Sequence, residues 1–217
     1  MIKWHQVETV LLDMDGTLLD LHFDTYFWLN YVPQKYANKN QITLIESEQI
    51  LFPLYKSFEG TLDWYCIDHW TKELNLDIAL LKSEVDHLIQ VHPHVIDFLK
   101  KLQSLQKKVI LVTNAHQKSL ALKMQKTQLH DLLDQSISSH ELGIPKEDPN
   151  FWRALQKVAP FNKETTLFVD DGVKMLESAQ QYGIQWLIAI LKPDSTLDAN
   201  QFEHFYGIND FSEIDWS

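Results

Sequence analysis

Three short stretches of this chain carry side chains able to do chemistry: Asp13-Met14-Asp15-Gly16-Thr17, Thr113-Asn114 and Asp170-Asp171-Gly172. Each directly follows a short run rich in β-branched and aliphatic residues, Val7 to Leu12, Val109 to Val112 and Thr166 to Val169. Ligands of open parallel sheets bind beyond the carboxyl ends of the strands, so these stretches are expected to converge on one edge. They bring four carboxylates together, and Lys146, just ahead of a helical pattern, supplies a cation. Four carboxylates in one crevice do not all stay ionised unless a cation is present, because like charges at close range disfavour ionisation. Magnesium is the expected partner: it takes hard oxygen ligands, needs few protein carboxylates and keeps several waters. A zinc-like set is not legible, since the ten histidines show no HExxH spacing and Cys66 is the lone cysteine. The histidines read as surface or satisfied core groups, and Cys66, inside an aromatic helical pattern, as packing.

The spacing of the first stretch permits a division of labour. Asp13 is expected to attack phosphorus, while Asp15, with a raised proton affinity, protonates the leaving alkoxide and later deprotonates a water. Thr113 then hydrogen-bonds a phosphoryl oxygen, and Lys146 balances the charge of Asp13 and the phosphoryl group. Asp170 binds the metal, with Asp171 beside it or holding its water. Taken singly, each residue has a plainer role: Asp13 and Asp15 as a strand-to-turn cap, Thr113-Asn114 as a helix N-cap, Lys146 as a solvated charge, Asp171 as a cap of the next helix. Their order along the chain, at the ends of successive strands, is what argues for a site.

The elements that must position these groups alternate. The three runs above, with Ile184 to Leu191 and a weaker run at Gln135 to Ser138, read as buried parallel strands. Between them Val95, Phe98, Leu99, Leu102 and Leu105 recur at helical spacing, and Lys118 to Leu129 and Val173 to Tyr182 are similar. Asp148-Pro149 reads as an N-cap and first-turn proline opening a helix through Phe151, Trp152, Leu155 and Val158. Strict alternation predicts an α/β fold, a Rossmann-like doubly wound parallel sheet. Residues 21–90 break the alternation, read as several helices, and hold 12 of the 25 aromatic residues. The expected organisation is therefore a catalytic core of residues 1–20 and 91–217 with a helical cap, 21–90, above the carboxyl end of the sheet. The tail segment Ile208 to Ile214 is expected to close the sheet edge.

A formal charge of −11, from 30 acidic and 19 basic residues, argues against nucleic acid or an acidic membrane as partner. A small phosphorylated substrate is compatible if the metal and Lys146 reverse the local field. The first residues contain no long apolar stretch, so a cytoplasmic protein is expected, in keeping with one unpaired cysteine.

Asp13-Met14-Asp15-Gly16-Thr17-Leu18, Thr113-Asn114, Lys146 and Asp170-Asp171 resemble the four motifs of the haloacid dehalogenase-like hydrolases, in order and over nearly the whole chain. The resemblance implies magnesium held by Asp13, the backbone carbonyl of Asp15 and Asp170, and an aspartyl-phosphate on Asp13. Asp15 matters within the family, because members that cleave carbon–halogen or carbon–phosphorus bonds lack an acid there. Phe23-Asp24-Thr25-Tyr26-Phe27-Trp28, Leu62 to Trp70 and Gly143 to Asp148 are similar, more narrowly, to bacterial purine 5′-nucleotidases acting on GMP and IMP. On that footing one or two of Phe27, Trp28, Trp64 and Trp70 stack on a base, the rest forming the seam of the insertion. Asp24 reaches ribose or base donors, and Asn114 joins Thr113 and Lys146 in binding substrate. Two departures from the family pattern stand out: Gly172 in place of a serine, and Met175 in place of a polar residue. A sugar-phosphate phosphatase or phosphomutase is the competing enzyme class. A receiver-like phosphoacceptor fits less well, since receivers place their acidic pair first and lack a cap, and a silent binding module is disfavoured because no expected catalytic group is missing.

Overall fold

A computed structural model describes residues 2–216. Six strands form one sheet in the order β3-β2-β1-β4-β5-β6, where β1 is Thr9–Leu12, β2 Lys108–Thr113, β3 Gln135–Ser138, β4 Thr166–Asp170, β5 Trp186–Ile190 and β6 Tyr206–Ile208. All five pairings are parallel. Parallel strands buried on both faces read as continuous apolar runs, which is why β1, β2 and β4 stand out in the sequence. The edge strand lies earlier than expected: Ile208 ends β6, and Phe211–Glu213 is a 3-10 turn, so only the start of the predicted tail segment pairs with the sheet.

Alternate residues of each strand enter opposite layers. Val10, Leu12, Val109, Leu111, Leu167, Val169 and Ile188 share one core cluster with Val95, Phe98, Leu99 and Leu102 of α7 (Val95–Ser104). Leu11, Ile110, Val112, Phe168 and Ala189 pack on the other side with Phe151, Trp152 and Leu155. Those three belong to a helix at Phe151–Val158, which begins later than the Asp148-Pro149 pattern suggests. Asp148 Oδ1 accepts from Asn150 N at 2.8 Å, so its carboxylate closes a local turn before the helix starts.

Between β1 and α7 the chain is helical. It runs through α1 (His22–Tyr26), a π-helical turn at Phe27–Tyr31, α2 (Val32–Asn40), α3 (Leu44–Phe58), α4 (Leu62–Tyr65), α5 (Ile67–Leu74) and α6 (Ile78–Glu84). Side-chain caps punctuate it: Thr43 and Glu46 form a capping box at α3, and Thr61, Cys66 and Asp77 cap α4, α5 and α6. Tyr55 and Trp70 meet edge to face with ring centroids 5.2 Å apart, and Trp28 lies within 5.8 Å of Trp70, so the aromatic seam is real. The core helices that follow are α8 (Gln117–Thr127), α9 (Ser139–Leu142), α10 (Phe151–Val158) and α11 (Val173–Tyr182). Among the described residues no helix is long and apolar enough to cross a membrane.

Candidate active site

The residues that follow β1, β2 and β4 meet at one end of the sheet, where Asp13, Asp15, Thr113, Asn114, Lys146 and Asp171 line a cavity of about 430 Å³. Asp13 stays in the ladder, its N–H donating to Val169 O at 3.0 Å, and the chain then turns back so that Gly16 N donates to Leu19 O at 2.7 Å. Gly16 makes this turn possible twice over. Its φ is +84°, and a Cβ there would stand 2.5 Å from Asp171 Oδ2. The turn thus sets Asp13 and Asp15 on the same cavity, as their spacing requires.

Lys146 is the electrostatic centre. Its buried ammonium donates to Asp13 Oδ1 and, at 2.7 Å, to Asp170 Oδ2. Burial works against that charge, but the two carboxylates outweigh it and raise the Lys146 pKa. One ammonium does not balance the acidic cluster. Burial, with the Asp170 charge adding to it, lifts Asp13 to about 7 against the pull of Lys146. Burial followed by the charges of Asp170 and Asp13 lifts Asp171 well above the carboxylate range, and burial raises Asp170 too. Carboxylate oxygens of Asp13, Asp170 and Asp171 lie within 4.8 Å of one another. An all-oxygen set short of positive charge fits a hard divalent cation such as magnesium.

Thr113, at the end of β2, is buried, and its Oγ1 accepts from Ala115 N at 3.0 Å. Asn114 is committed at both ends of its amide: Oδ1 accepts from Lys146 N at 2.9 Å, and Nδ2 donates to Glu147 Oε2 at 2.9 Å. Glu147 in turn accepts from the Tyr65 hydroxyl of the insertion at 2.5 Å. Asn114 therefore ties the Lys146 loop to β2, and Glu147 and Tyr65, to which the sequence assigned no role, tie the insertion to both.

Asp24 lines the cavity, but each of its oxygens faces an ammonium: Oδ1 accepts from Lys82 Nζ at 2.6 Å and Oδ2 from Lys123 Nζ. Lys123 also donates to Asp15 Oδ1 at 2.6 Å. Both lysines are buried, and Lys82 lies over the rings of Phe23 and Phe27 at 4.8 and 4.6 Å. Burial raises Asp15 to about 6, opposed by Lys123 and reinforced by Asp24 and Asp13. At Asp24 the two ammoniums outweigh burial and hold the carboxyl below its usual range. Neither lysine was recognised from sequence. Both occupy helix positions where the apolar period calls for a core residue, Lys82 beside Leu81 and Lys123 beside Met124, and that mismatch is the signal that marks them.

The two departures at the end of β4 are one feature. A Cβ on Gly172 would lie 2.1 Å from Met175 Cε, so the Met175 side chain fills the space that a serine would use. Met175 also lines the cavity.

A family model described as haloacid dehalogenase-like hydrolase matches residues 7–183. The chain belongs to the haloacid dehalogenase-like hydrolases. It is 39% identical over 213 residues to the GMP/IMP nucleotidase YrfG of Escherichia coli strain K12, covering 98% of this chain and 96% of that protein. The same figures hold for YrfG of Shigella flexneri. Among solved structures, a HAD phosphatase from Thermococcus onnurineus superposes with a TM-score of 0.78 at 23% identity, covering 95% of each chain. An L-2-haloacid dehalogenase from Xanthobacter autotrophicus superposes with a TM-score of 0.56 at 15% identity, covering 85% of this chain and 78% of the other. The fold is thus shared by enzymes of different chemistry, and the side chains at the sheet edge must choose between them.

Proposed function

We propose that this hydrolase is a magnesium-dependent phosphomonoesterase that works through an aspartyl-phosphate and acts on purine nucleoside 5′-monophosphates of the GMP and IMP type. The observation that carries the reading is Asp13 held by Lys146 with Asp15 facing the same cavity under the charge of Lys123. A dehalogenase has no use for an acid at Asp15; an alkoxide leaving group needs one.

In the first step an Asp13 oxygen forms a bond to phosphorus as the bond from phosphorus to the ester oxygen breaks, and Asp15 gives that oxygen its proton. In the second, Asp15 takes a proton from water, the water oxygen bonds to phosphorus, and Asp13 departs as carboxylate with free phosphate. A group near pKa 6 can do both near neutrality, and Asp15 stands there. Thr113 and Lys146 hold the phosphoryl oxygens. Asp13, the carbonyl of Asp15 and Asp170 would hold magnesium, with Asp171 beside them, and the ion when bound supplies the positive charge that the cluster lacks.

The cap is read as residues 21–90, with the remainder as catalytic core. It supplies the substrate wall: Trp28, Tyr55, Trp64, Tyr65 and Trp70 line the cavity. Trp70 Nε1 donates to Trp64 O at 2.8 Å, which marks Trp70 as structural and leaves Trp28 and Trp64 as stacking candidates. The buried Tyr55 hydroxyl has no hydrogen-bond partner among the described residues, so it is a donor available to a base or sugar oxygen. The 39% identical nucleotidase relatives support the purine class, and the lone unpaired cysteine suits a cytoplasmic enzyme.

Phosphate release from GMP, IMP and a set of sugar phosphates, with magnesium or EDTA, tests this on the wild type and Asp13→Asn. Magnesium-dependent release, fastest with GMP or IMP and absent in the variant, is the expected result. Faster release from a sugar phosphate overturns the purine assignment alone. Undiminished release by Asp13→Asn overturns the mechanism.

A further inference from the structure

The fold assembles a soft-ligand cluster that no local spacing reveals. Cys66 caps α5 in the insertion, its Sγ accepting from His69 N at 3.4 Å; His116 caps α8 directly after the β2 motif; His140 rides on α9 after β3. Sγ and one ring nitrogen of each histidine lie within 4.8 Å of one another. Local spacing shows no zinc-like set, whereas the fold brings these three side chains together from three separate elements.

The second observation concerns the lone pair of His140. Its Nε2 is buried and has no hydrogen-bond partner among the described residues. With no partner of its own, Nε2 is free to offer its lone pair to an ion. The rings of His116 and His140 meet edge to face with centroids 5.0 Å apart, which brings both imidazoles to the same spot. Around a tetrahedral zinc, sulfur and nitrogen donors stand about 3.4–3.6 Å apart, from bond lengths of about 2.3 and 2.0–2.1 Å. The present atoms lie within 4.8 Å of one another, so binding draws them closer by side-chain rotation.

We propose that Cys66, His116 and His140 bind a zinc-class divalent ion at a site separate from the acidic cluster, and that the bound ion clamps the insertion onto the sheet and arrests turnover. Coordination breaks the Cys66 S–H bond, forms a sulfur–metal bond and releases the proton to solvent. His116 Nδ1 accepts from Lys118 N at 3.3 Å and its Nε2 faces Asp68 Oδ2 at 3.8 Å, so coordination replaces one of these contacts, and the fourth position is open to water. His116 also lines the substrate cavity, so an ion held there fixes the cavity wall as well as the insertion. The binding part of the proposal stands apart from the phosphatase reading, and the arrest of turnover rests on it.

Cobalt titration of the metal-stripped full chain in excess magnesium, followed by absorption, tests the site. A near-ultraviolet thiolate-to-cobalt band with tetrahedral visible bands is expected in the wild type, reversed by one equivalent of zinc. Cys66→Ser, which keeps a capping oxygen, is expected to abolish the near-ultraviolet band. Zinc competition against a chelating dye is expected to show affinity reduced by more than about tenfold in Cys66→Ser and in His140→Gln. Magnesium-supported phosphate release is expected to continue in Cys66→Ser at zinc levels that stop the wild type. Absence of the band, its persistence in Cys66→Ser, or equal zinc affinity in all three proteins overturns the site. Equal zinc inhibition of wild type and Cys66→Ser overturns the clamp. Absence of magnesium-dependent phosphate release leaves the cobalt result to decide the site and falls instead on the phosphatase assignment.

Discussion

Removing one ammonium from the Asp15–Lys123–Asp24–Lys82 network measures what holds Asp15 in place. Lys123→Met keeps an apolar stem on α8 and deletes a charge that pairs with two carboxylates, at a side chain only 2% exposed. Breaking a buried ion pair by removing one partner costs about 3–5 kcal/mol. Two features pull the figure to the low end. Asp24 keeps Lys82 at 2.6 Å, and Asp15, with a pKa already near 6, takes up a proton rather than remain an unpaired anion. The expected loss is about 3 kcal/mol, or roughly 6–12 °C in Tm for a chain of this size. Differential scanning calorimetry in excess magnesium reads it. The same deletion has a pH signature. Asp24 is held below its ordinary value of 3.8, so its contribution to stability is full above that pH and is lost as pH falls through the lower folded value. With Lys123 gone the depression shrinks, and acid unfolding of the variant is expected at a higher pH. A Tm within 2 °C of wild type would show that the network carries no net stability and refute the reasoning. So would an equal loss in Lys82→Met alone and in Asp24→Asn/Lys82→Met, because removing the pair leaves the site neutral and should cost less than removing one charge.

Magnesium at about a hundred times its Kd should stabilise the wild type by about 2.7 kcal/mol, roughly 5–11 °C in Tm; Asp170→Asn should abolish that shift, and calorimetry with and without EDTA checks it. Asn114→Ala leaves the Lys146 N–H and Glu147 short of a partner, and should cost about 1–3 kcal/mol in kcat/KM, read from steady-state phosphate release, with Asn114→Asp restoring less than half because it repels Glu147. Gly16→Ala forces a side chain into positive φ and against Asp171, so magnesium affinity measured by calorimetric titration should fall together with Tm, by about 1–3 kcal/mol of stability. Tyr55→Phe should raise KM for GMP with little change in kcat if the hydroxyl binds base or sugar equally in the ground and transition states, which steady-state phosphate release reads.

What was legible in the sequence is what depends on position along a strand. A parallel strand buried on both faces must be apolar throughout, so its end is marked by the first polar residue, and in a doubly wound sheet that residue faces the ligand edge. Asp13, Thr113 and Asp170 follow from those two rules, and the family match agrees with the motif order. Lys146 could be placed only because its helix follows and the acidic cluster needs a cation. The same rules are silent on partners that helices bring in sideways. Lys123 reaches Asp15 across 108 positions and Lys82 reaches Asp24 across 58, and the break in the apolar period that marks each as buried does not name its partner. Cys66, His116 and His140 are the extreme case. No pair shares an element, so their meeting is set entirely by how the insertion docks on the sheet. Local misreadings have local causes: Asp148 spends its carboxylate on Asn150 N–H and delays α10, and β6 forms at Tyr206–Ile208, where the alternation between neighbouring residues is too short to read. The carboxylates of the candidate site are thus written in the order of the chain, while the charges that face them, and the docking of the insertion over them, are written only in the packing of the helices.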